Sequence, residues 1–260
     1  MKIIVNADDF GKDENATGAI LESFSKGFIT QTTLMVNMSS SVDAVERAKK
    51  AGLQSRIGLH ITLTEGCPLT SRIKGCRNFC APDGTFLRDG VRCRQWRPYV
   101  GEELLALREE LEAQIARFMK FGLQLMHCDS HHHVHMIPPV FYVLAPLLMK
   151  YGFRSIRTGI DIPWEHLFHP RIFGWAQRGL RKVFWPNRIT QADHFGSVEL
   201  MMRKRTTFRD CDIIEVMVHP RYNKQSRLVD FKSTDGRPMY DVFRDMSEWK
   251  GCLCAYGDLT

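Results

Sequence analysis

The chain has 260 residues, 44% of them hydrophobic, and 36 basic against 29 acidic side chains give it a formal net charge of +7. That length suits one large α/β domain or two small ones, and no apolar run approaches the roughly 20 residues that cross a bilayer, which excludes a transmembrane protein. The start, Met1 to Asn6, meets Asp8 and Asp9 too soon for an export signal, so the eight cysteines read as reduced thiols and the protein as soluble and cytoplasmic.

Lys2 to Ala7 is a short β-branched run ending in Asp8-Asp9-Phe10-Gly11, a strand that stops in a polar turn. Ala16, Ile20, Leu21 and Phe24 then recur at helical spacing before Gly27, which completes a first β-α unit. Thr32 to Met38 and the helix Val42 to Lys50 repeat it. Arg56 to Thr64 is a third strand, in which alternation puts Gly58, His60 and Thr62 on one face.

Residues 65–100 are irregular, with Cys67, Cys76 and Cys80 and a basic Arg92-Cys93-Arg94-Gln95-Trp96-Arg97 segment, as expected of an insertion or lid. Neither these cysteines nor Cys252 and Cys254 show the paired short spacing of a structural zinc site. Glu102 to Phe121 is the clearest helix, with Leu104, Leu107, Leu111, Ile115 and Phe118 on its stripe. Leu123 to Met126 reads as a short strand running into His127-Cys128-Asp129-Ser130-His131-His132-His133-Val134-His135, a window that holds five of the ten histidines.

Pro138-Pro139 opens a helix to Tyr151, Ser155 to Arg157 is a short strand, and Trp164 to Trp185 is an aromatic, basic stretch. The latter reads as an amphipathic helix packed on the domain; contact with an anionic lipid or saccharide is its alternative reading. Thr190 to Arg205 gives weak signals. Ile213 to His219 is a strong strand broken by Pro220, Met239 to Trp249 looks helical, and Leu253 to Tyr256 is a last strand candidate. This alternation, undivided by a linker, predicts one α/β domain over 1–260 with a largely parallel sheet.

Asp8 and Asp9, His60, the 127–135 window and His219 all fall at or just beyond the C-terminal ends of predicted strands, where such folds place their sites. One carboxylate and two imidazoles from separate strands leave positions open on a metal ion, as catalysis requires. Two adjacent aspartates can divide the work, one binding the cation and the other taking a proton from the attacking water.

The motifs Asn6-Ala7-Asp8-Asp9-Phe10-Gly11, Gly58-Leu59-His60, Asp129-Ser130-His131-His132-His133-Val134-His135 and Glu215-Val216-Met217-Val218-His219-Pro220 resemble those of the YdjC-like carbohydrate deacetylases, which include the chitooligosaccharide deacetylases. The resemblance implies a distorted, TIM-like (β/α) barrel and metal-dependent removal of an acetyl group from an N-acetylated sugar. It implies Asp9, His60 and His131 as ligands of one divalent ion, with Asp8 as general base and His219 as general acid. Asp129, His133 and His135 fall inside matching motifs and are expected to orient neighbours or meet substrate. Arg157 is a further candidate, pointing at solvent or at the site.

The donor set accepts Zn²⁺ or Mg²⁺, and the substrate is expected to be an N-acetylated oligosaccharide or glycolipid. Peripheral membrane contact and a homo-oligomer are both compatible with the sequence. The positive charge comes without a helix-turn-helix, zinc-finger or RNP-type sequence, so nucleic acid is not an expected partner. Two other readings keep part of the pattern: a metal-dependent amidase, deformylase or phosphoesterase on a non-sugar substrate, and a non-catalytic glycan-binding protein.

Overall fold

The computed structural model of the protein describes residues 1–94, 97–157, 189–233 and 236–259. Its centre is β1 (Lys2–Phe10), buried from Ile3 onward. On one side lie β2 (Gln31–Leu34), β3 (Ile57–Ile61), β4 (His127–Ser130) and β5 (Ser155–Ile156); on the other lie β7 (Ile213–Val218) and then β6 (His194–Ser197). The order β5-β4-β3-β2-β1-β7-β6 is parallel throughout, and the sheet curls into a half-barrel, the distorted (β/α) barrel of the sequence reading.

Helices close the outside of this sheet. In α1 (Glu14–Ser25) the Asp13 side chain caps the first turn by accepting from the Ala16 amide, and Ala16, Ala19 and Ile20 face inward. The outer layer continues with α2 (Ser41–Lys50) and α4 (Gly101–Lys120), then with α5 (Pro138–Lys150), which opens on proline. Between β3 and α4 the irregular stretch contains the short α3 (Ser71–Lys74), and it is not loose. Glu110 of α4, fully buried, accepts hydrogen bonds from the Leu69 and Thr70 amides, the Thr70 hydroxyl and the Gln114 amide, tying the stretch to the domain.

Two expected strands differ, and one region without an expected element gains structure. The strand of the histidine window is His127–Ser130 itself and not Leu123–Met126, because its partners are the β3 residues Leu59 to Ile61. Leu253 makes a single bridge to Ile3, after which the chain turns, so Leu253–Tyr256 is no full strand. The unassigned 190–205 region holds β6 and α6 (Val198–Lys204), and Ser197 caps α6. After β7 the chain forms a hairpin of β8 (Pro220–Tyr222) and β9 (Leu228–Asp230), and α7 (Met239–Asp245) ends near Trp249 in a looser turn. The expected 164–185 helix and Trp96 lie outside the described residues.

Candidate metal and acid-base site

Successive side chains of a regular strand point to opposite faces, so Asp8 and Asp9 should diverge. They do not, because the pairing of β1 with β2 slips between Ala7 and Phe10, and Asp9 takes a left-handed φ of 71°. This bulge turns both carboxylates toward the same pocket. Gly11 follows at φ 75°, where a Cβ would sit 2.8 Å from the Leu34 side chain. The turn therefore uses the freedom of glycine to let β1 leave the sheet directly behind the pair.

His60 arrives from β3 and His131 from the turn after β4, where His132 and His133 both take left-handed φ values. Gly58 makes this approach of β3 to β4 close: a Cβ there would lie 2.8 Å from the His127 carbonyl oxygen. Asp9 Oδ1 lies 2.8 Å from His131 Nδ1 and 3.3 Å from His60 Nε2. Ligand atoms of these three buried residues all fall within 4.8 Å of one another. His60 Nε2 is buried and has no hydrogen-bond partner, an orphan that a cation at this point would satisfy.

Each imidazole is held from behind. His60 Nδ1 donates to Asp129 Oδ1 at 2.6 Å, and Thr33 Oγ1 donates to the other oxygen of Asp129 at 3.0 Å. His131 Nε2 lies 2.9 Å from Glu65 Oε2. Burial opposes charge on both rings, yet the Asp129 charge raises His60 to about 10, and hydrogen bonds to Asp9 and Glu65 raise His131. Burial likewise opposes ionisation of Asp9, but the hydrogen bond from His131 and the close approach of the His60 ring hold it well below the usual carboxylate range.

Arg157 is the largest fully buried side chain among the described residues, so of the two expectations for it, solvent is excluded. Its guanidinium grips Asp8 at 2.6 and 2.7 Å, reaches Asp129 at 2.8 Å and, through Nε, donates to Glu215 at 2.7 Å. Burial opposes ionisation of Asp8, but the arginine outweighs it and keeps Asp8 charged at any ordinary pH. Two further groups, Asp8-His60-Asp129 and His127-Asp129-Glu215, also have metal-ligand spacing. Arg157 already supplies the cation between their carboxylates, which leaves Asp9-His60-His131 as the group suited to an added ion.

The site opens into a pocket of about 360 Å³ walled by Asp8, Asp9, Lys12, Glu65, His131 and His219, with His132, Arg88, Arg221, Phe231 and Lys232 at its sides. His219, directly after β7, places Nε2 3.9 Å from Asp8 Oδ2, while its backbone amide donates to Asp230 of the hairpin. The pocket wall does not include His133 or His135. His133 is packed edge-on against Phe195, and burial lowers it to about 3. His135 bonds Ser130 and approaches the Arg157 carbonyl, so it braces the turn that carries His131.

Sequence reasoning missed Glu65, Lys12, Thr33, Glu215 and Tyr256. The Glu65 and Lys12 positions carry no periodic signal, and Tyr256 reaches Glu215 only because the C-terminal segment packs beneath the strands. His132, in the histidine window, was not separated from its neighbours, yet it lies on the wall beside Thr64.

Comparisons with known proteins cover most of the chain. A family model described as YdjC-like protein matches residues 2–247. A carbohydrate deacetylase of Brevibacillus brevis is 31% identical over 232 residues, covering 85% of this chain and 82% of the relative. Carbohydrate deacetylases of Clostridium beijerinckii, at 36% over 231 residues (85% and 82%), and Geobacillus stearothermophilus, at 35% over 223 residues (84% and 79%), match as broadly. Among solved structures, an Enterococcus faecalis protein provisionally named for cellobiose-phosphate cleavage superposes with a TM-score of 0.72, covering 99% of this chain and 98% of the other. At 22% identity that likeness supports the fold alone. With the aspartate pair, His131 and the late histidine lining one pocket, His60 buried beside them, and a family match from the first strand to near the end, the chain belongs to the YdjC-like family.

Proposed function

We propose that this protein is a carbohydrate deacetylase that uses one divalent ion to hydrolyse the N-acetyl group of an amino sugar. The observation that carries the proposal is the convergence of Asp9, His60 and His131 beside Asp8 and His219, all but the buried His60 lining one open pocket. The relatives named for this activity supply the reaction class. Asp9, His60 Nε2 and His131 Nδ1 would hold the ion, a carboxylate and two imidazoles being a set that suits Zn²⁺ and, with more water, Mg²⁺. Bound there, the ion would polarise the acetyl carbonyl and make water at the site more acidic.

The chain's own residues do the rest. Asp129 fixes the proton of His60 on Nδ1 and so turns the Nε2 lone pair inward. Asp8, ionised and clamped by Arg157, takes the proton of the attacking water, and His219 returns a proton to the departing amine. The walls offer Phe231, 61% exposed, as a flat apolar face for a sugar ring.

One observation favours a second reading of the proton transfers: the guanidinium that keeps Asp8 charged also weakens it as a base. In that reading His219 carries the proton both ways, and Asp8 stabilises its imidazolium. The experiment that tests the function is acetate release by metal-loaded protein from N-acetylated glucosamine oligosaccharides. Release is expected, and it should disappear with a chelator and return with the ion. A panel of such sugars giving no acetate from the loaded protein would overturn the proposal. His219→Ala being more damaging than Asp8→Asn, with the acidic limb of the pH profile retained in Asp8→Asn, would select the second reading.

A further inference from the structure

Glu65 is the first residue of the irregular stretch after β3, with its side chain 36% exposed. Its Oε2 stands 2.9 Å from His131 Nε2 and 2.8 Å from Lys12 Nζ, and Lys12 lies 3.7 Å from Asp9 Oδ2. The His131 ring is thus flanked by a carboxylate on each side, Asp9 at Nδ1 and Glu65 at Nε2. The cluster with mutual ligand spacing comprises Asp9, His60 and His131 and does not extend to Glu65. Only one nitrogen of His131 can therefore serve that cluster, and Glu65 sits on the other.

We infer that Glu65 is a positioning residue for the ion site: it accepts a hydrogen bond from His131 Nε2–H and so presents the Nδ1 lone pair to the ion, while Lys12 holds Glu65 in place. This inference rests on the ion reading of the proposed function. A neutral imidazole carries one proton, and an anion beside one nitrogen keeps the proton there. The arrangement repeats that of His60, with the ring inverted: Asp129 sits on Nδ1 of His60 and leaves Nε2 inward, whereas Glu65 sits on Nε2 of His131 and leaves Nδ1 inward. As a surface ion pair alone, Lys12 with Glu65 would matter little to stability, so removing the glutamate leaves the fold intact and isolates its effect on the ion.

The experiment compares the wild type with Glu65→Ala, Glu65→Gln and Asp9→Ala. All are stripped with a chelator and titrated with Zn²⁺ against a chromogenic competitor, and ring-nitrogen NMR is recorded on the Zn²⁺-loaded wild type. Glu65→Ala is expected to weaken Zn²⁺ binding about 10- to 100-fold, as loss of such an orienting partner does, with an unchanged unfolding midpoint in the stripped protein. Glu65→Gln, which keeps an acceptor oxygen, should recover most of the affinity. The His131 signals should show Nδ1 metallated and Nε2 protonated. Zn²⁺ affinity within about twofold of wild type in Glu65→Ala, or metallation through Nε2, overturns the role of Glu65. Asp9→Ala separates the two levels: if the wild type binds Zn²⁺ no better than Asp9→Ala, the ion reading falls and takes this inference with it. If Asp9→Ala loses the ion and Glu65→Ala does not, only the inference falls.

Discussion

Asp8 and His127 show how little the residue type alone says about a role. Both are buried polar groups near the same barrel interior, yet Asp8 borders the pocket while His127 stacks on Tyr256 with ring centroids 4.2 Å apart and bonds Ser155. Burial lowers His127 to about 3, so it sits in the core as a neutral ring. Asp8→Asn keeps the shape and loses the charge. It should cut acetate release by about 10²- to 10⁴-fold while Zn²⁺ binding survives, measured by turnover and by the same competitor titration. His127→Ala should do the reverse, costing about 2 kcal/mol in denaturant unfolding through the lost packing and leaving ion affinity within about twofold. A large loss of Zn²⁺ in His127→Ala would mean that the histidine window, and not the strand-end set, holds the ion. The strand-end positions of Asp9 and His60 were legible in the sequence because each closes an apolar run, and that of His131 because the histidine window comes shortly after Leu123 to Met126. The bulge that brings Asp8 round beside Asp9 was not, since alternation alone would send the two to opposite faces.

At the scale of elements, the strands and helices with clear periodicity were placed within a few residues, and the failures have a common cause. β4 consists of His-Cys-Asp-Ser, a composition no propensity favours as strand, and it is made one by pairing with β3 along Leu59 to Ile61. The stretch after β3 reads as an insertion or lid because its own sequence has no period; its order comes from Glu110 on α4, 40 and 41 residues beyond the Thr70 and Leu69 amides it holds. Glu110→Ala would leave the Leu69 and Thr70 amides without their acceptor, at about 1–3 kcal/mol. The effect should be local: hydrogen exchange should quicken across residues 65–75, with β1 and β7 unchanged. Because Glu65 opens that stretch, Zn²⁺ affinity should fall with it. Unaltered exchange at Leu69 and Thr70 would show that other packing holds the segment.

Over the whole molecule, the interior of the half-barrel is a polar core in which one arginine serves three carboxylates. Arg157 meets Asp8, Asp129 and Glu215, and on its far side Glu215 accepts from the Tyr256 hydroxyl, which the C-terminal segment brings under the strands. The sequence held no sign of this excess of negative charge, since the five residues of the network are spread from position 8 to position 256. Burial, with the nearby Asp129 adding to it against the pull of Arg157, raises Glu215 to about 7, so near neutrality it shares its site with a proton. The unfolded chain loses that proton near the ordinary value of 4.5. Between those two values the native state binds more protons than the unfolded state, so this group's contribution to stability is complete below 4.5 and is lost as pH rises toward 7. One proton limits the slope to about 1.4 kcal/mol per pH unit. Glu215→Gln keeps the size and the oxygen facing Arg157 and has no proton to lose. Denaturant unfolding of the chelator-stripped proteins at pH 5 and pH 7.5 should therefore show the wild type losing stability relative to Glu215→Gln across the interval, with contributions from the other titrating groups cancelling in the difference. Parallel pH profiles for the two proteins would mean that Glu215 is ionised throughout and that Arg157 balances all three carboxylates unaided.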